Sequence, residues 1–139
     1  MPHAIERLTL DSALQEEVQK FHAEGRSKIA FTQSGKRREL TPAVQTVLFR
    51  ICQESLTNIR RHADANEVEV ILDYHDHEVL LSVQDNGAGF DLATVEAEKS
   101  GVSFGLIGMR QRAQQINGQL TIDSTKNQGT SVRLTIPTP

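Results

Sequence analysis

Phe49-Arg-Ile-Cys-Gln-Glu-Ser-Leu-Thr-Asn-Ile-Arg-Arg-His-Ala63 reads as a helix with two chemically different stripes. Leu48, Cys52, Ile59 and Ala63 share one arc of the helical wheel, which is the expected core face. Glu54, Asn58 and His62 recur every four residues and line a second stripe at the border of the first. A carboxylate, an amide and an imidazole in one row suit a metal–phosphate group. The amide oxygen is a hard ligand for Mg²⁺, and the carboxylate can orient a nucleophile or take its proton. Arg60 and Arg61 offer charge-assisted contacts to phosphate oxygens. An ordinary solvated helix face would carry the same residues, so the stripe gains meaning only from its company. Cys52, on the apolar arc, reads as a small core residue rather than a reactive thiol.

The surrounding chain alternates between two periods. Thr41-Pro42 supplies a cap and a proline at the first helical position, and the long helix is expected to run to about His62. Upstream, Leu10, Leu14, Val18 and Phe21 predict a helix over 10–24, capped by Asp11 or Ser12 and ended at Gly25. Lys28 to Gln33 reads as a short strand and Ser34 to Arg38 as a polar turn. Downstream, Val68, Val70 and Leu72 alternate with acidic residues, as a half-buried strand does. His75-Asp76-His77 is a hairpin turn into a strand bearing Val79, Leu81 and Val83. Residues 91–104 show no period and read as a mobile loop, a candidate lid. Leu106 to Ile116 is a helix stopped at Asn117-Gly118. Leu120 and Ile122 mark one strand, and Val132, Leu134 and Ile136 a last one ended by Pro137 and Pro139. Helices segregated from a mostly antiparallel sheet make an α+β two-layer sandwich.

Composition narrows the function classes. A chain of 139 residues suits one domain, here taken as 1–139, with a core that needs no disulfide. Apolar residues at 37% and charged residues at 24% exclude a disordered class. A net charge of −3 offers no nucleic-acid footprint. The single cysteine, Cys52, excludes an internal disulfide and suits a reducing, cytoplasmic setting. The apolar runs are too short to span a membrane, and Met1-Pro-His-Ala4 lacks a signal-peptide pattern. The chain opens as if in mid-architecture, so it is expected to be part of a longer protein.

Three further stretches carry chemistry. Asp85-Asn-Gly-Ala-Gly-Phe90 follows a strand directly. Its two glycines allow close backbone approach to a ligand. An ionised aspartate is acceptor-only, so Asp85 suits adenine's amino group and repels guanine's carbonyl. Gly105-Leu-Ile-Gly-Met-Arg110 places two glycines where a helix is expected to open, and free N–H groups there attract phosphate. Asn127-Gln-Gly-Thr-Ser131 reads alone as a hairpin turn entering the last strand.

In this order the four stretches resemble the nucleotide-binding boxes of the GHKL ATPase superfamily, which holds histidine kinases, DNA gyrase, MutL and a heat-shock chaperone. The resemblance covers roughly residues 10–137. It is closer to sensor histidine kinases that work with NarL-type response regulators, a NarL/DesK-like subfamily. Phe49 to Ala63, Asp85 to Phe90 and Gly105-Leu-Ile-Gly-Met-Arg-Gln-Arg112 carry it. The short lid and the lack of a phenylalanine-rich box fit that subfamily.

The resemblance implies the Bergerat fold: a mostly antiparallel mixed sheet covered by helices on one face, with ATP between the helical layer and a lid. It implies that Asn58 holds Mg²⁺ and that Glu54 is the base or polarising residue. Arg61 and His62 would lie near the phosphates and Asp85 would bind the adenine amino group. Gly87 and Gly89 would admit the base, with Phe90 beside them. Gly105, Leu106, Gly108 and Met109 would frame the lid and phosphates, and Thr130 would support the Asp85 side of the pocket.

The implied activity is transfer of the ATP γ-phosphate to a histidine on a separate dimerisation helix, for signalling to a NarL-type response regulator. No nucleic acid or membrane contact is expected of this domain, and the chain alone is expected to be monomeric. The acceptor histidine of such kinases is usually followed by an acidic residue. His75-Asp76 and His77-Glu78 have that pattern but fall in a hairpin turn, and His3 and His22 are followed by alanine. The acceptor is therefore expected outside this chain. An anti-sigma-factor-type serine kinase and a non-transferring nucleotide module of the same superfamily are the alternatives.

Overall fold

A computed structural model describes residues 9–25 and 27–138. His3, Pro139 and the Met1–Ala4 start lie outside the described residues. Helix α1 (Leu10–Ala23) is capped by Thr9, whose hydroxyl accepts from the Ser12 N–H at 3.1 Å. The cap was expected at Asp11 or Ser12. Asp11 instead turns inward, where its carboxylate accepts from the Tyr74 hydroxyl at 2.9 Å and from the Arg37 guanidinium at 2.9 Å. Gly25, at φ 79°, ends the helix as expected. Strand β1 (Lys28–Ser34) follows, and then α2 (Pro42–Asn58), capped by Thr41 with Pro42 inside its first turn.

The long helix changes pitch before it ends. Residues Ile59–Ala63 form a π-helical turn, closed by Asp64 in the left-handed region at φ 49°. Such a turn often sits at functional sites, because it redirects side chains that an α-helix would hold in register. The spacing of four that joins Asn58 to His62 on paper is therefore not an α-helical spacing here.

Strands β2 (Glu67–Tyr74) and β3 (Glu78–Asp85) form the hairpin around His75-Asp76-His77. Strands β4 (Gln119–Ser124) and β5 (Thr130–Pro137) form a second one. The five-stranded sheet runs β1-β2-β3-β5-β4, with β1 parallel to β2 and every other pair antiparallel. Alternation puts Val68, Val70, Leu72, Val79, Leu81, Val83, Val132, Leu134 and Ile136 in the core, against Leu48, Ile51, Cys52 and Leu56 of α2. This is the mixed two-layer α+β sandwich that the sequence predicts. No helix among the described residues is long and apolar enough to cross a membrane.

Residues 91–104 depart from expectation, being mostly helical rather than a loop. Helix α3 (Leu92–Ala97) is capped by Asp91, whose carboxylate accepts from the Thr94 N–H at 3.0 Å. Helix α4 (Gly101–Gln115) begins five residues before Leu106. Its start is held by Ser103, whose hydroxyl accepts from the Ser100 N–H and donates to the Ser100 carbonyl, both at 3.0 Å. Ser103, Leu106, Met109 and Ala113 form its buried stripe. Gly101, Gly105 and Gly108 mask the helix in the sequence, because glycine is a poor helix former. Gly105 and Gly108 therefore lie inside α4, not at an open helix start, and their N–H groups are not the free donors expected for phosphate.

A Cβ at Gly108 would meet nothing within 4 Å. Gly108→Ala should accordingly stabilise the unliganded chain by about 0.5–1 kcal/mol, the usual gain of alanine over glycine in a helix. Urea unfolding measures it, and a lowered midpoint would show that this turn of α4 is not helical.

Candidate functional site

The end of β3, the π-helical turn and the two lid helices enclose an apolar cavity of about 140 Å³. Asn58, Ile59 and His62 form one wall, and Val83, Asp85, Thr130 and Val132 form the sheet side. Val95 of α3 with Val102 and Leu106 of α4 form the cover. Gly89 and Phe90 complete the rim.

The turn after β3 is built by backbone contacts that leave no room for side chains. The Ala88 N–H donates to the Ala63 carbonyl at 2.6 Å, and a Cβ on Gly87 would clash with that same carbonyl. Gly89 sits at φ 62°, where a Cβ would meet the Thr125 carbonyl, and Gly129 at φ 78° lies as closely on the Asp85 carbonyl. The first two glycines were expected to admit a ligand. Each is required here by an approach of backbone to backbone, and Gly87 does not line the cavity. Asn86 clamps the turn to β2, its side-chain oxygen accepting from the Asn66 and Glu67 N–H groups at 2.9 Å each.

Asp85 is the one acidic group on the cavity wall among the described residues. Burial pushes its carboxyl above the ordinary carboxylate value, opposed by hydrogen bonds from the backbone N–H groups of Gly87 and Thr130. The Gly87 bond is 2.7 Å long. Cys52 is buried under the sheet, and burial pushes its thiol up to about 12, which leaves it inert.

The structure brings together Asn58, His62, Asp85, Gly89, Phe90, Leu106 and Thr130. Glu54 does not join them. It opens into a separate cleft with Arg50, Gly105, Gly108, Met109 and Arg112. The Gly105 turn of α4 lies directly over it, and a Cβ there would strike a Glu54 carboxylate oxygen. Arg61 faces a third groove with Glu24, Arg60 and Asp64. Val95 and Val102 went unassigned because they fall in the presumed loop. Ser124 also went unassigned. Its hydroxyl accepts from the Phe90 N–H at 2.8 Å and lies 2.8 Å from the Thr130 hydroxyl, a partnership with no local signal. No group of three or more His, Cys, Asp or Glu side chains among the described residues is arranged to hold a metal ion.

Residues 43–139 match the family described as histidine kinase-, DNA gyrase B- and HSP90-like ATPase. The signal transduction histidine-protein kinase/phosphatase DegS of Brevibacillus brevis is 35% identical over 134 residues, covering 96% of this chain and 34% of that protein. The oxygen sensor histidine kinase NreB of Staphylococcus carnosus (strain TM300) is 30% identical over 136 residues, covering 98% of this chain and 38% of that protein. The chain thus spans a little over a third of the length of such relatives. Among solved structures, the catalytic domain of histidine kinase ThkA superposes with a TM-score of 0.74 at 15% identity, over 94% of this chain and 92% of that one. Full-length ShkA in complex with AMPPNP superposes with a TM-score of 0.76 at 19% identity, over 94% of this chain and 30% of that one. At these identities the two structures show a shared fold.

The raised Asp85 carboxyl has a consequence for stability. A folded-state value above the unfolded one means that the ionised form is disfavoured in the fold, so stability present below the unfolded value is lost as pH rises through the folded one. Asp85→Asn removes that loss. Urea midpoints of the unliganded variant should rise relative to the parent as pH climbs from about 4, the ordinary carboxylate value, towards 7. A variant-minus-parent midpoint difference that stays constant or falls over that range would contradict the burial of this charge.

Proposed function

This chain belongs to the histidine kinase-, DNA gyrase B- and HSP90-like ATPase family, and we propose that it is the catalytic, ATP-binding domain of a two-component sensor histidine kinase. The observation that carries the proposal is the half-buried Asp85 acceptor on the wall of a largely apolar, lid-covered cavity. Such a wall accepts adenine's amino group and opposes guanine's carbonyl. The similarity to DegS and NreB supports the kinase reading over an ATPase of another branch.

With adenine against Asp85, the phosphates run towards Asn58 and His62. The Asn58 amide oxygen is a suitable hard ligand, and with no carboxylate cluster among the described residues Mg²⁺ would keep most of its waters and phosphate ligands. When bound, that ion neutralises charge on the transferring phosphate. His62 flanks the phosphates and stabilises their charge. Glu54 serves as the candidate base only once the Gly105 turn lifts from its carboxylate, and Arg61 must likewise swing from its groove to reach a phosphate. Gly105, Gly108 and Met109 frame the phosphates in that lifted state, so α4 acts as a movable lid element.

The acceptor histidine lies on a separate dimerisation helix. His75 Nε2 lies 2.9 Å from an Asp73 carboxylate oxygen at the hairpin end of β3. The eight residues of that strand hold it about 25 Å from Asp85. Transfer needs the acceptor nitrogen at roughly 3–3.5 Å from the phosphorus. The phosphohistidine would then serve a NarL-type response regulator, in the cytoplasm, where Cys52 stays reduced.

Three measurements follow from these roles. Calorimetry should show ATP bound in preference to GTP, with Asp85→Asn weakening ATP by about 1–3 kcal/mol; equal affinities in the parent would sink the adenine assignment. Asn58→Ala should abolish the Mg²⁺ dependence of ATP binding, and an unchanged dependence would remove Asn58 as ligand. Labelled ATP should leave the chain unlabelled until dimerisation helices bearing an acceptor histidine are added in trans. Acid-labile phosphate on this chain alone would overturn the separate acceptor.

A further inference from the structure

We propose that Arg110 is a positioning residue for the lid: its buried Nε–H is the fixed point onto which Glu96 of α3 closes when the cavity beneath is filled. The inference rests on the nucleotide-binding reading above and extends it to a pair of residues outside the cavity lining.

Helix α3 stands on a fixed base. The Asn127 N–H donates to the Ala88 carbonyl at 2.5 Å, and the Phe90 N–H donates to the Ser124 hydroxyl at 2.8 Å. Gly89, between them, approaches the Thr125 carbonyl too closely for any side chain. The entry to α3 is thereby tied to the β4–β5 turn. The helix beyond it is lightly held. None of its six residues is fully buried, and Leu92 and Val95 supply its packing against the core. A short helix with so little buried surface pivots on its base at low cost.

Val102, Leu106 and Arg110 recur every four residues along α4, so they share one stripe. The first two cover the cavity, and Arg110 continues the row. Its turn of α4 is held by buried Met109 and Ala113, which makes Arg110 the stationary partner. Glu96 directly follows Val95, which lines the cavity from α3. Arg110 Nε lies 3.7 Å from a Glu96 carboxylate oxygen, beyond hydrogen-bond reach. The same Nε is buried and has no hydrogen-bond partner. A buried donor left orphaned favours any motion that supplies an acceptor. An approach of about 1 Å gives a charge-assisted bond of ordinary length, and the guanidinium fork can then engage both carboxylate oxygens. A base in the cavity gives Val95 an apolar surface to pack on, and the inward movement of Val95 carries Glu96 with it. The bond thus belongs to the filled state, and by linkage it slows release of the ligand that favours it.

The test measures release of N-methylanthraniloyl-ATP from the whole chain, chased with excess unlabelled ATP in a stopped-flow fluorimeter. Glu96→Gln should speed release about two- to fivefold, the worth of a partly exposed ion pair. The sign is decisive, because removing a carboxylate near a polyanion would by general electrostatics slow its release. Arg110→Gln should speed release by a similar factor. The double variant should be no faster than the faster single one, since both remove the same bond. Arg110→Lys keeps the stem and the charge without the Nε–H, and should also release faster than the parent; it replaces Arg110→Gln if that variant does not fold. The urea midpoint of unliganded Glu96→Gln should match the parent, because the bond is unmade without ligand. Parent-like or slower release from Glu96→Gln overturns the latch, as do additive effects in the double variant. A variant that lowers the unliganded midpoint and leaves release unchanged marks a role in folding alone and overturns it too. A parent that binds no nucleotide overturns the nucleotide reading itself, and the latch with it.

Discussion

The end of β3 and the end of the long helix meet through backbone alone. The Ala63 carbonyl, at the close of the π-helical turn, takes the Ala88 N–H, and the absent side chain of Gly87 lets the two chains approach. This contact joins the helical layer to the sheet where the cavity opens. It holds Asp85 across from Asn58 and His62, and Asn86 ties the same turn to the start of β2. Any side chain at Gly87 would have to push a main-chain carbonyl aside, which no rotamer change can relieve. The glycine is thus a condition of the site's geometry rather than a ligand contact.

The π-helical turn is the counterpart of this constraint. A regular α-helix would have carried Glu54, Asn58 and His62 along one face. The wider turn after Asn58 redirects the last of these while Ile59 and Ala63 remain buried. Buried Ser55, directly after Glu54, returns its hydroxyl to the Ile51 carbonyl at 2.7 Å and touches the Met109 sulfur at 3.8 Å. Helix α4 therefore packs on α2 at the turn that bears Glu54, and the Gly105 backbone covers its carboxylate.

Much of this was legible in the sequence, for a reason that differs by element. Strand β2 announces itself because alternate residues face water, and α2 because its apolar arc repeats every three to four residues over its whole length. The lid was misread because Gly101, Gly105 and Gly108 dilute a helical stripe that rests on only Ser103, Leu106, Met109 and Ala113. Tertiary contact with α2 stabilises that helix against the poor propensity of its glycines. The cap of α1 moved by two positions because Asp11, a good cap in isolation, is drawn to Tyr74 and Arg37.

By itself the sequence determined the core faces and the types and order of the elements outside residues 91–104. It also named the acceptor, the amide and the imidazole that come to share one cavity. Those properties are local: they follow from the period of burial and from the chemistry of single residues. Tertiary structure alone decided that Glu54 and Arg61 open elsewhere, that the lid is helical, and that Ser124 reaches Thr130 and Phe90. The physical reason is that spacing along a helix fixes only which residues share a face. What covers each turn of that face depends on packing between segments far apart, as between Ser55 and Met109, 54 residues along the chain.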